Sequence, residues 1–261
     1  MTSQVLLDSQ ISKRLNVKQI IGKGAYGIVW KAIYKENNNN NNNNKNKVVA
    51  LKKCFDAFRN STDAQRTYRE VMYLKKLKGH DNIIQLLSVI KADNNRDLYL
   101  VFDFMESDLH ATIRANILTD IHMVYVTYQL LKALKFIHSA GIIHRDIKPS
   151  NLLINSDCHV RLCDFGLSRS LADIDIDDST SKNYKHQRVL TDYVATRWYR
   201  SPEILLGSTK YSQSIDIWST GCILAEMYRQ KTLLPGNSTM HQIQLILQML
   251  GEPSKDDMKS M

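Results

Sequence analysis

The apolar pattern of this chain changes character once, near Glu106, and that change limits the possible folds more than any motif does. Ahead of it, short apolar runs have the look of half-buried strands. They are Val17-Lys18-Gln19-Ile20-Ile21, Ile28-Val29-Trp30-Lys31-Ala32-Ile33, Val48-Val49-Ala50-Leu51, and two further runs around Ile83 to Ile90 and Asp97 to Phe104. One helix interrupts them: Thr62 and Gln65 have the spacing of a capping box, and Tyr68, Val71, Met72, Leu74 and Leu77 recur behind it, predicting a helix over about 62–78. Beyond Glu106, Ile121, Val124, Tyr128, Leu131, Leu134 and Ile137 form a helical stripe stopped by Gly141. Short strands are predicted at Leu152 to Ile154 and Val160 to Cys163, and helices from about Ser214 to Arg229 and Thr239 to Leu250. Strands with one helix, then mainly helices, predict an α+β fold of two lobes, the first over about 15–106 and the second over about 107–261, hinged near Asp103 to Asp108.

Residues 1 to about 14 show no strong periodicity and are expected to form a flexible lead-in. The uninterrupted run from Asn37 to Asn44 cannot bury apolar surface, so 37–46 is expected to be a disordered loop between strands. With 261 residues, 43% of them apolar, the chain can bury a substantial core, which excludes a fibre, a disulfide miniprotein and a mostly disordered tail. No stretch approaches the roughly 18 uncharged apolar residues of a spanning helix, and the N-terminus lacks a signal-peptide pattern, so a soluble intracellular protein with no membrane partner is expected. The net charge of +9 is scattered along the chain, which argues against nucleic acid and leaves room for a local patch facing an anionic small ligand. Cys54, Cys158, Cys163 and Cys222 lack the paired spacing of a structural zinc site and are read as isolated or buried thiols.

Gly22-Lys23-Gly24-Ala25-Tyr26-Gly27-Ile28-Val29 reads GxGxxGxV. Glycines let backbone amides approach a phosphate closely, although a plain hairpin or a dinucleotide fold uses the same residues. Here a strand follows the glycines where a dinucleotide fold would open a helix, which disfavours a nicotinamide oxidoreductase. Lys52 ends the next strand. A lysine beneath such a roof can neutralise phosphate charge if a carboxylate holds it, and Glu70 on the following helix is the natural partner. His144-Arg145-Asp146-Ile147-Lys148-Pro149-Ser150-Asn151 is the strongest signal. Asp146 can accept or orient a hydroxyl proton, Lys148 can steady a transferring phosphoryl group, and Asn151 can hold a metal. Asp164-Phe165-Gly166 follows, with a carboxylate that is a hard oxygen ligand suited to magnesium.

In this order, GxGxxGxV, VALK, a helical Glu, HRDIKPSN, DFG and Ser201-Pro202-Glu203 resemble a eukaryotic protein kinase from about Val17 onward. Within that superfamily, Thr191-Asp192-Tyr193 and the stretch Val194 to Arg200 are similar to the activation segment of MAP kinases. The hinge Leu100 to Glu106 and the segment His241 to Leu247 most resemble the atypical extracellular-signal-regulated branch, its seventh and eighth members. The resemblance implies a small β-rich N-lobe and a mainly helical C-lobe, ATP and Mg2+ as cofactors, protein substrates, and activation by an upstream kinase or by autophosphorylation. It implies that Ile21, Gly22, Lys23, Gly24, Ala25, Tyr26, Gly27 and Ile28 cover ATP and that Val29, Ala50 and Leu153 sandwich adenine. The backbone from Asp103 to Met105 would bond the adenine edge behind a bulky Phe102, and Asp108 would meet the ribose. Lys52, Glu70, Asp146 and Lys148 are the implied catalytic residues, and Asn151 and Asp164 the implied metal ligands. His144, Phe165 and Leu74 match a stacked apolar spine, and Asp216 a buried brace for the catalytic loop. Thr191 and Tyr193 are the implied phosphosites. Arg69, Arg145 and Arg169 would collect phosphorylated Thr191, and Arg197 and Arg200 phosphorylated Tyr193.

The asparagine run and the long segment from Asp164 to Thr191 are insertions relative to that family, tolerable because closure entropy grows slowly with loop length. In the family the helical lobe continues past the position of Met261. The resemblance therefore implies a C-terminally truncated domain lacking its last helices, with exposed apolar faces on the Ser214 and Thr239 helices and with Glu203 deprived of a later arginine. The sequence reading is a magnesium-dependent serine/threonine kinase of MAP kinase type acting on hydroxyls that precede proline, cytoplasmic with access to the nucleus. The alternative is a truncated, inactive kinase-like module that binds nucleotide or protein partners without turnover.

Overall fold

Period-two burial is visible along β3 (Val48–Cys54), where Val49, Leu51 and Lys53 are buried and Ala50 and Lys52 only partly so. The structure, a computed structural model, describes residues 7–24, 27–35, 47–172, 197–208 and 212–260. The asparagine run, the acidic stretch after Ala172, Ala25, Tyr26, Thr191 and Tyr193 lie outside the described residues. The chain divides into two compact units, Met1–Gly79 with Ile84–Met105, and His80–Ile83 with Glu106–Met261.

In the N-terminal unit, α1 (Ser9–Arg14) leads into β1 (Leu15–Gly24), β2 (Gly27–Tyr34) and β3. Helix α2 (Ser61–Lys76), β4 (Leu86–Lys91) and β5 (Leu98–Asp103) follow. The strands form one antiparallel sheet in the order β1-β2-β3-β5-β4. One face packs Trp30, Val49, Leu51, Tyr99 and Val101 against Ile11 and Leu15. The expected lead-in is therefore corrected from Ser9 onward: it is a helix, and Ile11, fully buried at 0% exposure, joins the core. An isolated isoleucine in a polar stretch gives no periodicity from which to read this.

The helix expected over about 62–78 is α2, but its cap is different. The side chain of Asn60 accepts from the Asp63 amide at 2.8 Å, so the capping residue lies outside the proposed Thr62/Gln65 box. Its buried residues are Glu70, Tyr73 and Leu74, followed by Leu77, while Tyr68 is 69% exposed. This face has helical spacing but includes a carboxylate, which a search for apolar residues alone passes over.

The C-terminal unit contains β6 (Ser107–Asp108), α3 (Leu109–Arg114), α4 (Asp120–Ser139), β7 (Ile142–Ile143), β8 (Leu152–Ile154), β9 (Val160–Leu162) and β10 (Arg169–Ser170). Helices α5 (Pro202–Leu205), α6 (Ser214–Arg229), α7 (Thr239–Leu250) and α8 (Lys255–Ser260) complete it. Two small sheets have the orders β6-β8-β9 and β10-β7. Helix α4 packs on α6 as well as on β7 and β9; Met123, Val126, Leu130, Ala133, Leu134 and Ile137 are buried on α4, and Ile215, Cys222, Ile223 and Met227 on α6.

The face of α4 is a second correction. Ile121, Val124, Tyr128 and Leu131 are exposed, and only Leu134 and Ile137 of the expected stripe are buried. Apolar residues surround most of this helix, so several stripes have helical spacing and periodicity cannot choose between them. On α6 and α7, Ile217, Tyr228, Met240 and Leu250 are exposed. Ile83 and Ile84 precede β4 instead of opening it. Ile83 makes an isolated parallel bridge to Leu162, within the C-terminal unit.

Candidate active site

The glycine-rich segment is a hairpin. Gly24 pairs with Gly27, Lys23 with Ile28 and Gly22 with Val29 across β1 and β2. Gly27 is required by close approach: a Cβ built there would lie 2.1 Å from the Lys53 carbonyl oxygen on β3. Pairing across β2, β3 and β5 sets Val29 opposite Lys52 and Ala50 opposite Phe102, which puts these four residues on one sheet face. The other face of β3 carries Val49, Leu51 and Lys53 into the core.

Lys52 is held by both oxygens of Glu70, with Nζ donating to Oε1 at 2.7 Å and to Oε2 at 3.0 Å. The Glu70 side chain is 9% exposed and that of Lys52 28%, so a buried carboxylate anchors a cation that keeps part of its surface open. Ile21 is exposed and Ile28 is buried, so the hairpin's apolar residues do not all share one environment. Phe102 and Met105 are buried. Asp103 pairs with Lys47 at 2.7 Å through its side chain, and its amide donates to the Gln85 carbonyl.

In the C-terminal unit the loop 144–151 is braced from beneath. Asp216, 1% exposed on α6, accepts from the amides of His144 and Arg145 at 2.9 Å each and bonds His138 Nε2 at 2.9 Å. These bonds hold Arg145 at φ +70, a backbone region that non-glycine residues rarely occupy. The loop then turns Asp146, Lys148 and Asn151 toward one another. Lys148 Nζ donates to Asp146 Oδ2 at 2.8 Å, and Asn151 Nδ2 donates to the same oxygen at 3.0 Å and to the Asp146 carbonyl at 2.8 Å. Both side-chain bonds end on Oδ2, so neither occupies Oδ1, which has the lone pairs of an acceptor.

Asn151 precedes β8 and Asp164 follows β9, so the two residues stand at the open ends of one hairpin. The Cys163 amide donates to the Asn151 carbonyl at 3.0 Å across that opening. Asp164 adopts φ +61 and caps a short turn, Phe165–Leu167, through the Gly166 amide. His144 Nε2 meets the Cys163 carbonyl at 3.0 Å, Nδ1 accepts from the Asp146 amide at 3.3 Å, and the ring stands edge-on to Phe165 at 4.9 Å. One imidazole tautomer satisfies both bonds.

The donor set fits magnesium. Asn151 uses Nδ2 for its bonds, so the lone pairs of its amide oxygen remain for a cation, and Asp164 adds a hard carboxylate. Among the described residues no group of three or more His, Cys, Asp or Glu could hold a metal. Two protein oxygens without a full cage suit an ion that brings phosphate oxygens with it.

Other predicted residues have local duties. Leu153 pairs with Asp108 between β8 and β6, and Asp108 Oδ1 caps α3 by accepting from the Ala111 amide at 2.9 Å. Arg69 donates to Gln65 on α2, Arg145 to the Leu167 carbonyl, and Arg169 to the Ser168 carbonyl. Sequence reasoning missed a buried acid on α6: Tyr199 Oη donates to Glu226 Oε2 at 2.7 Å. Burial pushes the Glu226 and Tyr199 pKa values up and, with Glu226 nearby, pushes the Cys222 thiol up to about 12. A glutamate on the apolar face of α6, beside Cys222, Ile223 and Met227, was the available signal.

Comparison with known proteins gives a consistent result. Residues 15–260 match the protein kinase domain family. The chain is 58% identical over 254 residues to extracellular signal-regulated kinase 2 of Dictyostelium discoideum, an alignment covering 97% of this chain and 65% of that protein. It is 53% identical over 255 residues to mitogen-activated protein kinase 15 of Xenopus laevis, covering 97% and 41%. It is 52% identical over 255 residues to extracellular signal-regulated kinase 7 of Drosophila melanogaster, covering 97% and 26%. The chain thus spans less than two thirds of the length of each of these relatives.

Proposed function

Because this chain belongs to the protein kinase family, we propose that it is a magnesium-dependent serine/threonine kinase of MAP kinase type, transferring the γ-phosphoryl group of ATP to protein hydroxyls. The observation that carries the reading is the cluster of Asp146, Lys148 and Asn151 on a loop braced by the buried Asp216. Asp146 Oδ1 orients the substrate hydroxyl and accepts its proton as the oxygen attacks phosphorus. Lys148, already directed at Asp146, stabilises charge on the transferring group. Lys52, fixed by Glu70, binds phosphate oxygens and keeps the triphosphate extended. Asn151 and Asp164 would hold Mg2+, which when bound neutralises charge on the phosphates.

The proline preference and activation through Thr191 and Tyr193 belong to this reading by likeness to the relatives and by the sequence from Thr191 to Arg200. The test is phosphate transfer from labelled ATP to a peptide panel with and without proline after the acceptor, run with Asp146→Asn and Thr191→Ala variants. Transfer abolished by Asp146→Asn and reduced by Thr191→Ala is expected. Nucleotide binding with no Asp146-dependent transfer would select the non-turnover module instead.

A further inference from the structure

Strand β9 has a full strand partner on one side only, β8, in the order β6-β8-β9, and its other edge has the isolated bridge of Leu162 to Ile83. The backbone groups on its other edge are nevertheless occupied. Gln129 Nε2 donates to the Cys158 carbonyl at 2.8 Å, and Gln129 Oε1 accepts from the Val160 amide at 2.9 Å. Asn82 Nδ2 donates to the Val160 carbonyl at 2.9 Å and to Gln129 Oε1 at 3.0 Å, and the Leu162 amide donates to the Asn82 carbonyl at 2.9 Å. Backbone meets the edge at Leu162, and two side-chain amides take the place of a neighbouring strand at Cys158 and Val160, matching donors to acceptors. Gln129 and Asn82 are each 3% exposed, so water does not replace these bonds freely.

We propose that Gln129 is a positioning residue for the metal-binding pair: by fixing β9 along its own axis it sets the separation of Asn151 and Asp164 at the open ends of the β8–β9 hairpin. The inference rests on the kinase reading above. Each strand of the hairpin has three residues, so the ladder between them supplies few bonds, and the edge bonds made by Gln129 and Asn82 carry a comparable share of the constraint. A slip or twist of β9 passes through Leu162 and Cys163 to Asp164. Magnesium tolerates little of it, because its coordination is close to octahedral with bonds of about 2.0–2.1 Å. A partner bonded to a ligand itself typically alters metal affinity by about 10- to 100-fold when removed, and Gln129, which acts through the strand, is expected at or below the lower end of that range.

The experiment compares the whole chain with Gln129→Met, which keeps bulk and removes the amide, and with Ile137→Val, a core change on the same helix that touches none of these bonds. In the nucleotide-free protein, Gln129→Met should accelerate amide hydrogen exchange from Val160 to Cys163, and Ile137→Val should not. In phosphotransfer at a temperature where every variant is folded, Gln129→Met should raise the Mg2+ concentration for half-maximal rate by about 3- to 10-fold, less than loss of a group bonded to a ligand itself. Gln129→Asn, one methylene shorter and able to reach only one of the two backbone groups, should shift it less, and it carries the test if the methionine variant does not fold. A folded Gln129 variant with unchanged Mg2+ dependence overturns the proposal, as does an equal shift in Ile137→Val. No transfer by the unmodified chain would instead overturn the kinase reading and take this inference with it.

Discussion

Lys52 and Lys53 are neighbours on β3, and strand alternation sends them to opposite faces of one sheet. Lys52 retains 28% of its side-chain surface and meets Glu70. Lys53 retains 7% and is enclosed by Asp97 at 3.2 Å, Asp8 at 3.9 Å and the rings of Tyr99 and Phe55. Asp8 is tied in turn by the Asp93 amide at 2.6 Å and Tyr99 Oη at 3.2 Å, so the second cluster fastens the residue before α1 to the sheet. The same side-chain chemistry serves two purposes, and solvent access decides which. A cation that keeps part of its surface open can still receive a phosphate; a closed one can only hold the fold together.

Substitution separates the two. Lys52→Arg, which leaves a cation beside the buried Glu70 carboxylate but replaces the compact ammonium, should lower the rate of phosphate transfer by about 100- to 1,000-fold while the unfolding midpoint in urea stays close to that of the parent. A large loss of stability with little change in rate per folded molecule would reverse the assignment. Asp97→Asn should do the opposite, costing about 3 kcal/mol in urea unfolding because it leaves Lys53 buried without its nearest carboxylate.

The pH profile sharpens the contrast. Burial alone would raise the Asp97 pKa, but bonds from the Asp56 amide, Asn94 and Lys53 outweigh it and hold the carboxyl below its ordinary value. Its contribution is therefore present above the unfolded value of about 3.9 and is lost as pH falls through the lower folded value. Burial alone would lower the Lys53 pKa, but Tyr99 and Asp97 outweigh it and raise it. That contribution is complete below about 10.4 and disappears as pH rises through the folded value. Denaturation curves taken at the two extremes should converge for parent and Asp97→Asn at the acid end. Curves that stay parallel would show that the carboxylate charge is irrelevant.

The lysine pair also depends on how closely β2 approaches β3. Gly27→Ala should cost about 2 kcal/mol in the same assay, since the added methyl meets the Lys53 carbonyl oxygen and must push the strands apart. An alanine variant as stable as the parent would mean that the hairpin relaxes freely there.

The smallest effect is expected at Glu226, a buried acid whose hydrogen-bond partner is a phenol instead of a lysine. Burial raises its pKa, so the folded state favours the protonated form, and stability present at low pH is lost as pH rises through the folded value. Glu226→Gln keeps an acceptor for Tyr199 and should gain up to about 1 kcal/mol near pH 8 with no gain near pH 4. A loss at pH 8 would place Glu226 with Asp97 as a stabilising charge.

What could be read before folding follows sequence separation. Asp146, Lys148 and Asn151 meet within a single turn, so the motif that names them also determines most of their geometry. Glu70 could be matched to Lys52 only through the order of motifs, and its burial was invisible to an apolar count. The clusters that sequence reasoning passed over join distant segments: Asp8 with Lys53 and Asp97, Asn82 with Gln129 and Val160, Tyr199 with Glu226. The face of α4 was misassigned for a related reason, because an apolar helix does not mark the side on which its neighbour lies.

By itself the sequence determined the α+β division, the hairpin of glycines, the helix bearing Glu70 and the residues of the 144–151 loop, since strand alternation, turn chemistry and short-range bonds are properties of adjacent residues. Tertiary structure alone decided that Ile11 is core, that Lys53 is sealed from water beside an open Lys52, that Asp216 holds Arg145 in a left-handed backbone, and that two amides close the edge of β9. Burial and the pairing of remote groups depend on which surfaces meet, and no local pattern encodes the partner.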